Sequence, residues 1–435
     1  MECPFSFRIG MTIQAFHGAA MVPFPPAVIF RPECCDLNQQ AIARAAPPPI
    51  WMLALAVSGA NVGISLLSPA IPDLRADLMA TADQAQLVLS AFLVMLGLGQ
   101  LGAGSISDSI GRRPVMLFGA LLFSLTGFGA MFAPTIEILI GMRILQGIGA
   151  AACMVMGRVI ISDSYQREEA GKQLSTITMF QAVVPVLGFA FGGMLADLVG
   201  WRGAVALMVL TAMTVLIASL ILLQETRLDR TPPMALSKIL GSYLTLLLTP
   251  KFITNAGTGA VLTAAFFAMG GFMPYQFQRL GSSAFEFGLF FSATALGYLT
   301  GNSLNRIIGP RFGLDRTAFR GSVVSFVSMS GLLMAALTDT AIQPVISFFL
   351  FFYGTANGLV IANVIIGAVR AAGPHSGAAT GLCGALQMAG SAALGSLIIA
   401  FGGDVDFKLA ISICWLMVVV GLVSAFLALE RPARQ

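Results

Sequence analysis

The sequence predicts an all-α polytopic membrane protein with 12 transmembrane helices in two pseudo-symmetric six-helix halves, and with both termini in the cytoplasm. Three observations lead to this fold class. Of the 435 residues, 57% are hydrophobic and only 10% are charged, whereas soluble domains carry about 25% charged residues. Separate apolar runs are long enough to cross a bilayer as helices. Finally, basic residues alternate between scarce and abundant from one loop to the next.

The predicted spans follow one another at short intervals. Each is an apolar run of about 18 residues or more, the length that a helix needs to cross the hydrocarbon core. Transmembrane β-strands would show about ten residues of alternating hydrophobicity, whereas residues 204–223 are almost continuously apolar. The predicted spans are 50–71, 86–106, 114–133, 136–160, 173–196, 203–223, 252–275, 287–308, 319–338, 341–366, 376–402 and 409–429.

The basic residues predict the orientation. With the N-terminus inside, four of the 24 Lys and Arg residues lie in outer loops, two lie within the fourth span, and the remaining 18 lie in inner loops and tails. This positive-inside bias places both termini in the cytoplasm.

The chain divides into two halves and three connecting or terminal segments. The first 49 residues contain interrupting prolines and no clean apolar core before a cleavage site, so we expect a disordered cytoplasmic tail and no secretory signal. An over-long start stays an alternative, since Met11 and Met21 could also begin the chain. The predicted segments are a tail, a six-helix half, a central cytoplasmic loop, a second six-helix half and a short tail: 1–49, 50–223, 224–251, 252–429 and 430–435.

The loop after the second span reads G-x-x-x-D-x-x-G-R-R-P, with Gly104, Asp108, Gly111, Arg112 and Arg113 at its defining positions. Gly111 permits a tight turn, and the proline suits the first turn of the next helix. The two arginines face the anionic leaflet, and Asp108 can hold one of them. An isolated G-R-R would indicate only a basic inner loop, but the full spacing is far more specific.

This spacing resembles the signature between helices 2 and 3 of the major facilitator superfamily, and residues 86–101 before it resemble the Bcr/CflA-type drug-resistance branch. The resemblance covers residues 50–430 and is strongest over 86–202. It implies a multi-pass drug:proton antiporter of the bacterial inner membrane. It also implies that Asp108 and Arg112 latch the two halves together on the cytoplasmic side.

The fourth span contains Arg143, Gln146 and Gly147. An intramembrane arginine is costly and normally faces the bundle interior or a wet cavity; snorkelling to the outer interface near Glu137 is the alternative. Gln146 and Gly147 share its helix face, which favours a packed, hydrated interior. The pattern R-x-x-Q-G resembles the helix-4 signature of the superfamily, which implies that Arg143 serves proton coupling or substrate handling.

The fifth span contains Pro185, Gly188, Gly192 and Gly193. Gly188 and Gly192 form a small-xxx-small pair that lets another helix approach, and Pro185 can bend the helix. A packing and kink site without ligand contact is the favoured interpretation. The segment resembles the antiporter helix-5 signature G-P-x-x-G-G, although Phe189 stands where that signature has proline.

Polar residues within the apolar spans are candidate cavity residues: Asn61, Ser65, Asn357, Asn363 and Gln387. Each could instead form only an interhelical hydrogen bond. Many Bcr/CflA-type members have an aspartate where this chain has Ser65. The buried carboxylate that usually carries the proton is therefore missing from the first span.

Two other carboxylates are candidate proton sites, Asp73 near the outer end of the first span and Glu137 near Arg143. Asp163, at the inner end of the fourth span, is interpreted as a helix-end charge. In the second half, residues 301–306 followed by Gly309 form a degenerate echo of the first loop, which indicates an internal duplication.

The leading functional hypothesis is a secondary active exporter of small molecules, a multidrug efflux protein that works by proton-coupled antiport and alternating access. A proton-independent facilitator, or an exporter of a metabolite such as a sugar or amino acid, is the alternative that Ser65 favours. A non-transporting receptor or scaffold is a more distant one.

The sequence also indicates what the protein lacks. There is no G-x-x-x-x-G-K-[ST] nucleotide loop, the two histidines, His17 and His375, lie far apart, and the cysteines show no metal-ligand spacing. We therefore expect no enzymatic activity, no cofactor, no metal and no nucleic-acid partner. The expected partners are a small amphiphilic or apolar substrate, protons and the lipid bilayer, and the expected state is a monomer.

Overall fold

The computed structural model describes residues 47–227 and 236–429 of the protein. These ranges are almost entirely helical. The helices are α1 (Ile50–Ser65), α2 (Ile71–Asp77), α3 (Ala82–Ile110), α4 (Arg112–Met131), α5 (Ile136–Ser164), α6 (Arg167–Val199), α7 (Trp201–Leu222), α8 (Leu236–Leu247), α9 (Pro250–Arg279), α10 (Ala284–Phe312), α11 (Leu314–Leu337), α12 (Gln343–Ala371), α13 (Ser376–Ala400) and α14 (Phe407–Ala428).

Most of these helices have the length and composition of membrane spans. Within the described residues, 11 helical segments are long and apolar enough to cross a bilayer. Helix α10 has 29 residues but is not among them, because polar side chains such as Glu286, Asn302 and Arg306 lower its hydropathy. The predicted all-α, polytopic fold is therefore confirmed. The predicted tails at 1–49 and 430–435 lie almost wholly outside the described residues.

The helices differ from the predicted spans mainly at their ends. The first span is broken: α1 ends at Ser65, a 3₁₀ turn covers Ser68–Ala70, and α2 completes the segment. Pro69 and Pro72 lack the backbone N–H that a continuous helix needs.

The central connection, expected to be a loop, contains the 12-residue helix α8. From α8, the Tyr243 hydroxyl donates to the Leu101 carbonyl at 3.1 Å; burial raises the pKa of Tyr243, so the donor proton is retained.

The two halves share the same features at the ends of corresponding helices. Helices α3 and α10, the second long helix of each half, both begin with a capping box, Thr81 with Gln84 and Ser283 with Glu286. Both end at a glycine with positive φ, 106° at Gly111 and 81° at Gly313. The turn in the second half lies at Gly313, beyond the Gly309 of the predicted echo, because α10 continues to Phe312 and the Gly313 N–H bonds to the Gly309 carbonyl.

Two helix pairs join the N-terminal half (α1–α7) to the C-terminal half (α9–α14). Helix α3 packs against α13, and α6 packs against α10. We call the end of the bundle that carries Arg112 and the connection between the halves the linker end. The opposite end, where α13 turns into α14, is called the Asp404 end.

Candidate functional site

A cavity of about 490 Å³ lies between the two halves, within the range typical of small-molecule sites. Helices α1, α3, α5 and α6 line one side, and α9, α10, α12 and α13 line the other. The lining includes the exposed residues Thr178, Ile366 and Thr380 towards the linker end. A molecule can therefore reach the cavity from that end.

At the Asp404 end, the pair α3–α13 closes the space between the halves. Ser90 Oγ donates to the Ala392 carbonyl at 3.3 Å, and the hydroxyls of Ser90 and Ser396 are 3.0 Å apart. Farther out, Arg75 of the N-terminal half pairs with Asp404 of the C-terminal half at 3.1 Å. Polar contacts thus tie the halves together beyond the cavity.

The pair α6–α10 closes the same end on the other side. The Asp197 carboxylate accepts the first backbone N–H groups of α10, from Ala284 at 3.1 Å and Phe285 at 2.9 Å. Such a carboxylate is favourable at a helix N-terminus. A Cβ atom at Gly288 would meet the carbonyl oxygen of Phe189, so the two backbones touch without an intervening side chain.

Four of the five predicted cavity residues line this cavity: Asn61, Ser65, Asn357 and Gln387. Asn61 Nδ2 donates to the Gln181 carbonyl at 2.8 Å. The fifth residue, Asn363, is buried away from the lining and donates to Asn305 Oδ1 of α10 at 2.8 Å. Four of these residues therefore lie where a ligand could contact them, whereas Asn363 forms an interhelical hydrogen bond.

The structure adds Arg158 of α5 to the lining, a residue that the sequence analysis counted as charged but did not assign to the site. Its Nη2 donates to Gln181 Oε1 at 3.0 Å. The signal that singled out Arg143, a cation within an apolar span, applied equally to Arg158. Within the part of the chain that the structure describes, no residue of the lining is an aspartate or glutamate.

The predicted proton sites lie elsewhere. Asp73 is exposed at the Asp404 end. Glu137 is exposed at the same end and accepts from Gln84 Nε2 at 3.2 Å. Neither carboxylate lines the cavity.

Arg143 lies inside the N-terminal half, not in the cavity lining. The side chain is 1% exposed. Its guanidinium donates to the carbonyls of Gly63 at 2.8 Å and Val88 at 3.1 Å, and to Gln146 Oε1 at 2.6 Å. The guanidinium carbon also sits 4.1 Å from the centre of the Phe92 ring, an attractive cation–π contact. Arg143 thus joins α1, α3 and α5 through its donors.

The predicted glycine positions are points of close helix approach. A Cβ atom at Gly147 would meet the Phe92 carbonyl of α3, and one at Gly188 would meet Ser65 Oγ. At Gly192 and Gly193 it would meet backbone carbonyls of Leu66 and Ala284. Pro185, one turn earlier, lines the cavity.

The signature loop is held by a carboxylate on each side of Arg112. Arg112 is buried, with Nη1 2.8 Å from Asp108 Oδ1 and Nε 2.9 Å from Asp163 Oδ2. Gly104, in the last turns of α3, has open space around it. The described contacts of Arg112 therefore tie α3 to α5 within the N-terminal half.

Glu225, in the connection that follows α7, clamps the turn itself. Its carboxylate accepts the backbone N–H groups of Arg112 at 2.9 Å and Arg113 at 3.2 Å. A Cβ atom at Gly111 would collide with this carboxylate. Asp108 also pairs with Arg227 at 3.0 Å, so the connection between the halves begins on the signature loop.

Sequence reasoning missed the roles of Asp163 and Glu225. Asp163 is separated from Arg112 by 51 residues and Glu225 by 113. The only signal was the presence of acids at helix ends near the predicted inner surface, where Arg112 and Arg113 also lie.

Apolar helices in two halves around a cavity, accessible at one end and closed at the other, define a multi-pass membrane transporter. The chain belongs to the Major Facilitator Superfamily, whose family model matches residues 53–395. As a member it is a transporter of small molecules and not an enzyme.

Its relatives include proteins named for drug resistance. It is 29% identical over 353 residues to a chloramphenicol resistance protein of Pseudomonas aeruginosa, covering 78% of this chain and 81% of that protein. It is 24% identical over 352 residues to a bicyclomycin resistance protein homolog of Haemophilus influenzae, covering 79% and 86%. The resemblance to the drug-resistance branch is thereby confirmed.

The fold is also similar to that of a solved structure. The crystal structure of a D-xylose-proton symporter superposes with a TM-score of 0.67 and 16% sequence identity, covering 87% of this chain and 97% of that one. At this identity the similarity supports the fold alone.

Proposed function

We propose that this protein is a secondary exporter of small, partly apolar molecules in the bacterial inner membrane, and that it works by alternating access. The observation that carries the proposal is the asymmetric cavity, which is accessible from the linker end and closed at the Asp404 end. Most of the lining is apolar, as a site for drug-like molecules requires. The resistance names of the relatives favour export over uptake.

We further propose that α10 is the twelfth span. With 12 spans, the linker end and both termini share one side of the membrane. The excess of basic residues on that side makes it the cytoplasmic side. The structure then corresponds to an inward-facing state, ready to accept substrate from the cytoplasm. Because both walls of the cavity belong to the two halves of a single chain, we propose that a monomer is sufficient for transport.

The driving force proposed is inward proton flow, and the carboxylate best placed to couple it is Asp404. It is buried and pairs with Arg75 across the halves. Loss of the Asp404 charge would break this pair and loosen the Asp404 end. Asp73 and Glu137 are exposed and do not bridge the halves in this way.

A proton-independent facilitator is the second candidate. The observation that favours it is the lining itself, which contains no carboxylate. In that case the substrate gradient alone would drive transport, and no step would depend on protonation.

For the signature loop, we propose that the cluster of Asp108, Arg112 and Glu225 transmits movement between the connection and the N-terminal half.

For Arg143, we propose a role in holding α1, α3 and α5 in register, since its donors go to backbone carbonyls and Gln146. Replacing Arg143 by methionine should reduce the yield of folded protein more than it changes apparent substrate affinity.

Transport by inverted membrane vesicles tests the proposal. Chloramphenicol and a panel of fluorescent dyes should accumulate in vesicles that contain the protein and not in vesicles without it. Substrate should partly collapse an imposed pH gradient, and an uncoupler should reduce accumulation. Uptake unaffected by the uncoupler would favour the facilitator, and no protein-dependent uptake of any compound would contradict export.

Two matched variants locate the coupling site. Asp404→Asn should uncouple uptake from the pH gradient, whereas Asp73→Asn, which also removes a carboxylate at the Asp404 end, should leave it unchanged. Equal coupling in both variants would exclude Asp404 as the proton carrier.

A further inference from the structure

Arg158 is the charged residue of the cavity lining, whose other members within the described ranges are neutral. It is partly buried, and its Nη2 donates to the amide oxygen of Gln181 at 3.0 Å. No described carboxylate pairs with it. The cavity therefore carries a net positive charge in its resting state.

Arg158 differs in this respect from three other arginines of the bundle. Arg112 pairs with Asp108 and Asp163, and Arg75 pairs with Asp404. Arg143 has no carboxylate but directs its donors to backbone carbonyls and Gln146. The Arg158 guanidinium has further N–H groups besides the one bonded to Gln181, and they lie beside a space that a ligand can enter. An uncompensated charge at membrane depth is costly, and functional sites are where such charges persist.

Donors from the opposite half face Arg158. Tyr298 of α10 lines the same cavity as the Arg158 guanidinium. Asn302, one turn farther along α10, also belongs to the lining. A hydroxyl and a carboxamide can both donate to an oxygen anion, as the guanidinium does. An anion at this place would contact both halves.

The remainder of the lining suits an apolar body. Phe189, Phe266 and Phe267 lie on the walls together with Met154 and Met388. Aromatic rings supply large apolar surface, and methionine adapts to different shapes. The charged corner and the apolar walls are parts of one continuous space.

We propose that Arg158, with Gln181 and Tyr298, forms an anion-binding subsite, and that the substrates of this protein include amphiphilic organic anions with an apolar body and a carboxylate. The proposal rests on the proposed function, since it takes the cavity as the path of transport. Binding of the carboxylate would compensate the Arg158 charge and connect the halves. A charge-assisted hydrogen bond in a partly dehydrated site gives such a ligand an advantage over its neutral analogue.

Three dansyl probes test this inference: anionic dansylglycine, neutral dansylamide and cationic dansylcadaverine. Binding to the purified protein in lipid nanodiscs is followed by fluorescence anisotropy, with empty nanodiscs as the blank. Wild-type protein should bind dansylglycine about tenfold more tightly than dansylamide, and dansylcadaverine most weakly. Equal affinities for the three probes, or no saturable binding of dansylglycine, would overturn the proposal.

Variants then assign the preference to Arg158. Arg158→Gln should weaken dansylglycine binding about tenfold and leave dansylamide binding within about twofold, and Arg158→Lys should restore part of the loss. Arg370→Gln is the matched control, because Arg370 is exposed at the linker end of α12 and lies outside the lining. An equal loss for dansylglycine and dansylamide in Arg158→Gln would indicate a merely structural role.

The outcome is separable from that of the proposed function. Arg158-dependent binding of dansylglycine without export of any probe would support the subsite and contradict the exporter. Export of dansylamide by a protein that does not prefer anions would support the exporter and contradict the subsite.

Discussion

The two ends of the interface between the halves are built in different ways. At the Asp404 end, helix backbones touch, serine hydroxyls bond across the gap, and Arg75 pairs with Asp404. Towards the linker end, the same helices line a cavity whose mouth includes exposed Thr178 and Thr380, and the halves still meet where Arg306 donates to Ser175 at 3.1 Å. The difference shows that one interface can be closed at one end and accessible at the other, which is the geometry that alternating access requires.

The contacts at the closed end are also of a kind that can be undone. Hydroxyl–carbonyl bonds and a partly exposed ion pair each contribute only about 0.5–1.5 kcal/mol net. The firmer packing lies mostly within each half, since one large buried apolar cluster belongs chiefly to the N-terminal half and another chiefly to the C-terminal half. The halves can therefore move as units while their shared interface opens.

The largest expected effect comes from filling the backbone contact between α6 and α10. Gly288→Leu places a side chain against the Phe189 carbonyl, and overpacking of this kind costs about 1–3 kcal/mol. We expect transport to fall at least about tenfold, because the Asp404 end can no longer close. The measurement is initial uptake into inverted vesicles, normalised to the amount of folded protein.

Gly377→Leu is the control for this substitution. Gly377 lies at the linker end of α13 with no neighbouring atom within 4 Å of an added Cβ. Transport should stay within about twofold of wild type. Equal damage from both substitutions would show that glycine is needed for reasons other than close approach.

A smaller effect is expected at the linker end, where Glu225 clamps the signature loop. Glu225→Gln removes the charge that accepts the Arg112 and Arg113 N–H groups, and should lower the free energy of unfolding by about 1.5–3 kcal/mol. The melting temperature should fall and transport should slow. Glu168→Gln, on an exposed residue in the first turn of α6, should change neither; an unchanged melting temperature in Glu225→Gln would contradict the clamp.

Asp108→Asn tests the contribution of the signature loop at the linker end. It removes one of the two carboxylates of Arg112, while Asp163 keeps the other contact at 2.9 Å. The protein should fold and insert normally but cycle several-fold more slowly. Normal turnover in this variant would remove Asp108 from the transport mechanism.

The smallest effect expected is that of Asp404→Asn on the opening of the Asp404 end. Loss of the pair with Arg75 should favour opening by about 1 kcal/mol. The readout is the rate at which an impermeant maleimide labels a cysteine at position 90 from the Asp404 side, which should rise about fivefold. Asp339→Asn, which breaks an exposed pair with Lys408 at the same end, should leave the labelling rate unchanged.

Composition and local spacing predicted the architecture well. Apolar run lengths located the helices, and Gly111 with the proline that follows Arg113 placed the turn between α3 and α4. Helix α8 was missed because the central connection was judged by its charges and not by its amphipathic pattern. The predicted span that corresponds to α10 stopped at residue 308, whereas α10 passes through Pro310 and continues to Phe312.

The site was predicted less completely, because its members come together only in the folded bundle. Asn61, Ser65, Asn357 and Gln387 were found as polar residues in apolar spans. The same signal cannot tell Arg143 from Arg158, which occupy one helix and differ only in what packs against them. Asp163 and Glu225 meet Arg112 across long stretches of chain, which spacing does not reveal.

Locking the Asp404 end shut tests alternating access most directly. The hydroxyls of Ser90 and Ser396 are 3.0 Å apart across the halves, so the pair Ser90→Cys and Ser396→Cys should form a disulfide with little movement. Oxidation should reduce transport of chloramphenicol or a dye to near background, reduction should restore it, and the single-cysteine variants should be insensitive to both treatments. Undiminished transport by the fully cross-linked protein would contradict the account.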